Sequence, residues 1–184
     1  MRSLFNKFII AAVLLLLGAT SYAQEGKQAH FYVIKLHKEI NTSSARLMTD
    51  ALKEAQEEKA DYCIIDLNTY GGALDAADSI RTAILRYPTP VIAFINNQAA
   101  SAGALISIAC DSIYMRTGSS IGAATVVNQQ GEVMPDKYQS FMRGMMRATA
   151  QATGRDPKIA ESIHSADVSH RVTSLLPTPQ RKIS

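Results

Sequence analysis

The chain has 184 residues, 47% of them hydrophobic, which is enough for one globular domain with a sizeable core and argues against two. Its formal charge is +3; two of those charges, Arg2 and Lys7, lie in a leader expected to be removed, leaving +1 on the remainder. A balance so near neutral, with no Trp and no dense Lys/Arg block, excludes an electrostatic case for nucleic-acid binding.

Residues 1–23 have a basic start at Arg2 and Lys7, an apolar centre from Phe8 to Leu17, and small residues at Ser21-Tyr22-Ala23. This is the three-part pattern of a secretory signal peptide, with cleavage expected between Ala23 and Gln24. The apolar run is short for a bilayer span, and an uncleaved anchor is the alternative. No Cys stands near the cut, so nothing suggests a lipoprotein. An exported protein, periplasmic or associated with the cell envelope, is expected. Cys63 and Cys110 both fall in apolar runs, where free thiols of the core are expected.

His30 to Leu36 reads as a first strand. Asn41-Thr42-Ser43-Ser44 supplies N-cap candidates for a helix that passes through Leu47, Leu52 and Ala55 to the charged end Glu57-Glu58-Lys59. Tyr62 to Leu67 is an almost continuous apolar run, the pattern of a strand buried on both faces of a parallel sheet. It stops at Asn68-Thr69-Tyr70-Gly71-Gly72. The segment Ala73 to Leu85 has helical apolar spacing at Leu74, Ala77, Ile80 and Ile84, and ends before Pro88 and Pro90. Further strands are expected at Pro90 to Ile95 and Ser112 to Met115. This βα repetition implies a parallel sheet in which the loops at the carboxyl ends of successive strands gather at one cleft, so that Gly71-Gly72 and Ser101 should face each other.

The strand Pro90 to Ile95 is expected to stop at the polar residues that follow, and the chain reopens as an apolar helix at Ala102-Gly103-Ala104. Ser101 therefore stands where a helix begins, with small neighbours that leave its Oγ open and with free amides and partial positive charge at the helix amino end. That suits a nucleophile; an ordinary serine N-cap is the alternative. Adjacent glycines at 71 and 72 let the backbone approach a ligand and turn an N–H inward, as an oxyanion hole requires; a plain strand-to-helix turn is the alternative.

A nucleophilic serine needs a base. The four histidines are His30, His37, His164 and His170, and none follows the Ser101 helix closely. After it come a small-residue loop, Thr117 to Ala124, and an amphipathic helix from Asp136 to about Thr153. Lys137 lies in that helix's first turn, where the amino-end dipole disfavours a cation and burial would disfavour it further. A neutral lysine so placed can act as the base of a Ser-Lys dyad; a solvated surface lysine is the alternative.

In order, the strand ending in Thr69-Tyr70-Gly71-Gly72, the run Pro90-Val91-Ile92-Ala93-Phe94-Ile95-Asn96, the turn Ala99-Ala100-Ser101-Ala102-Gly103 and Gly118-Ser119-Ser120-Ile121-Gly122-Ala123 resemble the Clp-protease-class fold as found in the NfeD (nodulation formation efficiency D) family of membrane-bound serine proteases. The resemblance covers roughly Phe31 to Ala166. It implies an α/β fold, the Clp/crotonase-like αβ superhelix with repeated βα units and a parallel sheet. It also implies a Ser101–Lys137 dyad and an oxyanion hole from Gly71 or Gly72 together with Ala102. No metal or cofactor is implied. The implied activity is a serine endopeptidase acting on hydrophobic segments of membrane-associated proteins, stomatin-like proteins among them, in a homo-oligomer of two or more copies.

Two departures stand out. Tyr70 replaces a proline common in such proteins, which changes turn rigidity more than chemistry. After Asp167 the sequence has neither strand alternation nor helical spacing, and contains Pro177, Pro179 and no acid. The expected organisation is a signal peptide (1–23), a protease domain (24–167) and a disordered or atypical tail (168–184). Without the segment that such relatives carry there, the apolar face of the last long helix, including Phe141, Met145 and Met146, is expected to stay exposed and promote self-association. Two further functional classes share the fold: a catalytically silent scaffold in membrane-protein assembly, and a crotonase-type acyl-CoA enzyme.

Overall fold

The computed structural model describes residues 28–163, positions 123 and 129 excepted. The expected leader and tail, with His164 and His170, lie outside the described residues. Strand β1 (Phe31–Leu36) leads into helix α1 (Thr42–Glu57), then β2 (Tyr62–Thr69), α2 (Leu74–Leu85), β3 (Val91–Ala100), α3 (Ala102–Ala109), β4 (Ser112–Met115), β5 (Ser120–Gly122), α4 (Asp136–Ala152) and α5 (Pro157–Ser162). The strands are parallel in the order β1-β2-β3-β4, and β5 also pairs with β3. This is the Clp-like α/β fold expected from the βα repetition.

Local chemistry sets the helix starts. Asn41 caps α1 by accepting from the Ser44 amide at 3.0 Å, while Ser44 Oγ accepts from the Asn41 amide at 2.8 Å, so two orphan donors are satisfied reciprocally. Asp156 caps α5 through the Lys158 amide at 2.8 Å.

The inward residues of the sheet, among them Ile34, Leu36, Cys63, Ile65, Leu67, Val91, Ala93 and Ile95, are buried under the helices. All eight residues of α3 are buried, so this helix is the central strut, packed on β3 and between α2 and α4. Its carboxyl end is capped from a distance: the Ile108 carbonyl accepts from Thr153 Oγ1 and from Arg155 Nη1, each at 3.1 Å. Both cysteines are free and buried, as expected.

Three expectations need correction. β2 is not buried on both faces: its residues alternate, with Ile64 and Asp66 only half-buried. The reason is lateral shielding. Val33, Ile64, Ile92, Phe94 and Tyr114 line a shallow groove on the outer face, so the strand reads as continuously apolar although none of the described helices covers that side. Second, β3 does not stop at Ile95. It runs to Ala100 through a bulge, because Leu67 pairs with Ile95 and Thr69 with Ala99, setting three residues against one. Past the bulge the small-residue loop becomes a strand, β5, pairing Ser120–Gly122 with Gln98–Ala100. Third, α4 buries Met142, Met145 and Met146, since α5 folds back on it; of the three residues expected to be exposed, Phe141 alone is.

Candidate active site

β3 ends at Ala100, and the chain turns at Ser101 with φ 52° and ψ −114°. Only one other described residue that is not glycine, Lys59, has a positive φ. Such a backbone costs about 1–3 kcal/mol and persists where the surroundings impose it. They do so here: the Ser101 amide donates to Gly122 O of β5 at 2.9 Å, and the Ser101 carbonyl accepts from the Ala104 amide at 2.9 Å. Ser101 is thus the N-cap of α3, yet its side chain makes no capping hydrogen bond. The first amides of α3, at Ala102 and Gly103, have no intrahelical acceptor.

The paired glycines stand directly against this turn. A Cβ on Gly71 (φ 109°) would lie 2.7 Å from Ser101 Cβ and 3.2 Å from its Oγ. A Cβ on Gly72 (φ 151°) would collide with the Ile40 carbonyl. Ile40 fixes the pair from outside, its amide donating to Gly71 O at 2.8 Å and its carbonyl accepting from the Ala73 amide at 2.7 Å. Because Gly72 is the residue bridged to Ile40, its own amide and carbonyl face the other way. The Gly71 amide donates instead to Thr69 Oγ1 at 3.0 Å. The expectation that the glycine pair and Ser101 face each other is met at Gly71, which stands against Ser101, while Gly72 packs on Ile40.

Lys137 is placed otherwise. It is exposed at the start of α4, with Nζ 5.0 Å from the centre of the Tyr138 ring, and the burial expected for it is absent. Helix geometry gives the reason: residues two apart point about 200° apart, and Gln139 takes the inward direction. The Gln139 side chain accepts from the Val126 amide at 3.0 Å and donates to the carbonyls of Val126 at 2.7 Å and Met134 at 3.0 Å. It thereby pins the hairpin closed by the Val127–Val133 bridge to the helix that bears Lys137. Neither described histidine is engaged with Ser101: His30 faces Glu58 at 4.0 Å, and His37 Nε2 lies 2.8 Å from Asp66 Oδ1.

Sequence reasoning missed Thr69, Gly122 and Gln139. Thr69 had a signal, as a hydroxyl two residues before a glycine pair and in phase with the inward side chains of β2. Gly122 and Gln139 act through pairings distant in the chain, and nothing local marks them.

A parallel sheet whose third strand ends in a strained serine, set against a glycine pair from the second, is the architecture of a Clp-class domain. The chain belongs to the NfeD1b family: the family model described as NfeD1b, N-terminal domain, matches residues 30–175. It is similar to the membrane protein NfeD1b of Bacillus subtilis (strain 168), at 36% identity over 156 residues, covering 85% of this chain and 36% of that protein. It is also similar to the membrane-bound protease PH1510 of Pyrococcus horikoshii, at 30% identity over 146 residues, covering 75% of this chain and 33% of that one. The chain thus spans about a third of the length of these curated relatives.

Among solved structures, it resembles the membrane-bound stomatin-specific protease 1510-N as a serine-to-alanine variant, with a TM-score of 0.71 and 28% identity, covering 77% of this chain and 72% of that one. A lysine-to-alanine variant of 1510-N in complex with a substrate peptide matches with the same TM-score, 0.71. ClpP1 from Listeria monocytogenes matches in fold, with a TM-score of 0.62 at 19% identity, over 77% of this chain and 84% of that one. Among the described residues, no helix is long and apolar enough to cross a membrane.

Proposed function

We propose that this chain is a serine peptidase domain in which Ser101 is the nucleophile, Lys137 the general base, and the amides of Ala102 and of Gly71 or Gly72 the oxyanion donors. The conformation of Ser101 carries this reading. A serine that only caps a helix turns its hydroxyl onto the amides of the first turn; this one holds a strained backbone and leaves Oγ uncommitted beside Gly71. Of the two glycines, Gly72 is favoured as donor, because the Gly71 amide is already engaged by Thr69.

In this mechanism Ser101 Oγ attacks a peptide carbonyl carbon while its proton passes to uncharged Lys137 Nζ, and the carbonyl electron pair moves to the oxygen that the amides receive. Collapse expels the amine, which takes the proton from Lys137. Water then cleaves the acyl ester by the same steps and restores Ser101. Lys137 must leave the Tyr138 ring to take part. Replacement of a serine and of a lysine in the 1510-N structures supports the pairing.

The names of the relatives, membrane-bound and in one case stomatin-specific, favour a membrane-associated peptidase with stomatin-like proteins among its substrates; we infer further that it cuts hydrophobic segments of such proteins as a homo-oligomer. The outward position of Lys137 favours a second reading, a Clp-fold scaffold without catalysis. A fluorophosphonate probe decides between them. Labelling of the wild type, abolished in Ser101→Ala, is the expected result; a wild-type chain that is neither labelled nor able to cut a hydrophobic peptide overturns the peptidase reading.

A further inference from the structure

We infer that Thr69 is a positioning residue that sets the spacing between the two groups of oxyanion donors, an inference that rests on the peptidase reading above. Thr69 is buried, 3% exposed, and its two branches reach different parts of the site. The hydroxyl accepts from the Gly71 amide at 3.0 Å. The methyl group lies against the first turn of α3, where a Cβ built on Gly103 would stand 2.6 Å from Thr69 Cγ2. One branch therefore holds the glycine loop and the other holds the start of the helix that carries Ser101 and Ala102.

Three consequences follow from this arrangement. With Gly71 N–H committed to Thr69, the peptide plane between Tyr70 and Gly71 is fixed, and Gly72 is left to present its amide on the side away from Ile40. The absence of a side chain at Gly103 is what admits the Thr69 methyl, so the distance from the glycine loop to α3 is the width of one β-branched side chain. Thr69 also pairs with Ala99 across the bulge, which fixes the rotamer's origin on the sheet itself. Thr69 touches no reacting atom; it acts through Gly71 and Gly103.

The two branches can be removed separately. Thr69→Val keeps the branched shape and the contact with Gly103 but offers the Gly71 amide no acceptor; Thr69→Ser keeps the hydroxyl and drops the methyl. In the full chain, with circular dichroism and thermal midpoint confirming the fold, Thr69→Val should lower kcat for peptide hydrolysis about 10- to 100-fold with KM within about twofold, because donor placement matters to the oxyanion and little to the bound ground state. Thr69→Ser should recover most of that loss. Hydrogen exchange of the Gly71 amide should be slow in the wild type and in Thr69→Ser, and fast in Thr69→Val. A Thr69→Val enzyme with wild-type kcat, or one whose KM rises while kcat holds, overturns the inference. If the wild type itself neither hydrolyses peptide nor reacts with fluorophosphonate, the peptidase reading fails; the exchange measurement then decides separately whether Thr69 holds the loop, and equal Gly71 exchange in all three proteins refutes it.

Discussion

The two halves of the site are built differently. The half around Ser101 is fixed mainly by backbone, with the Thr69 side chain as its one strut: Ser101 bonds to Gly122, Ile40 holds both sides of the glycine pair, and Gly71 packs so close that a Cβ added to it would stand 2.7 Å from the serine's own. The half around Lys137 is held by a side chain, Gln139, which ties a hairpin to the start of α4 and leaves Lys137 in solvent over Tyr138. In the proposed mechanism, a nucleophile and oxyanion donors placed by backbone cost no reorganisation during reaction, whereas the exposed Lys137 must move to reach Ser101. Any adjustment needed for catalysis therefore falls to the hairpin and α4, away from the sheet.

The largest effect should come from the rigid half. Ser101→Ala should reduce peptide hydrolysis about 10⁴-fold or more, with circular dichroism and thermal midpoint unchanged, since the lost hydroxyl makes no capping bond. Activity near wild type would remove Ser101 from the mechanism.

On the α4 side, Lys137→Ala and Lys137→Arg should both be inactive, as a guanidinium stays protonated and cannot serve as base. Stability measured by urea unfolding should change by less than about 0.5 kcal/mol, because the side chain is exposed.

The glycines separate function from fold. Gly71→Ala puts a methyl group against Ser101 and should cut kcat about 100-fold, whereas Gly72→Ala strikes the Ile40 carbonyl and should cost more than about 3 kcal/mol in unfolding free energy. Equal effects on both quantities from both variants would erase the distinction.

Gln139→Leu should cost about 1–3 kcal/mol by removing the partner of the Val126 amide and of the Met134 carbonyl, while the Val126 carbonyl keeps the Met134 amide at 3.0 Å. Amide exchange should then accelerate between residues 126 and 134 and stay unchanged at Ser101. The smallest effect concerns the thiols. Burial pushes both Cys63 and Cys110 above the ordinary thiol range, only partly opposed at Cys63 by the Tyr87 hydroxyl, so neither should react with iodoacetamide at neutral pH until the protein unfolds.

Legibility in the sequence followed the range of the interactions. Periodicity and caps act within a few residues, so α1, α2, β4 and α4 are readable, and the turn at Ser101 is marked by small residues on both sides. Strand ends meeting at one cleft follow from parallel topology, which placed the glycines beside the serine. What escaped was set by pairing across the chain. The extension of β3 depends on a bulge opposite Asn68 and on β5, whose three residues have no strand signal until β3 receives them. The outward Lys137 depends on Gln139 turning inward, a choice made by the carbonyls of Val126 and Met134. The open face of the sheet misled for a further reason: apolar residues that shelter one another side by side look, in sequence, like residues sheltered from above.

The φ of Ser101 also bears on stability. Glycine adopts that backbone freely, so at position 101 it would relieve the strain that serine sustains, at a gain of about 1 kcal/mol. The backbone alone therefore favours glycine there, and in the proposed mechanism the need for the hydroxyl opposes it. Under the proposed mechanism, a serine held in this conformation trades stability for a hydroxyl at the site.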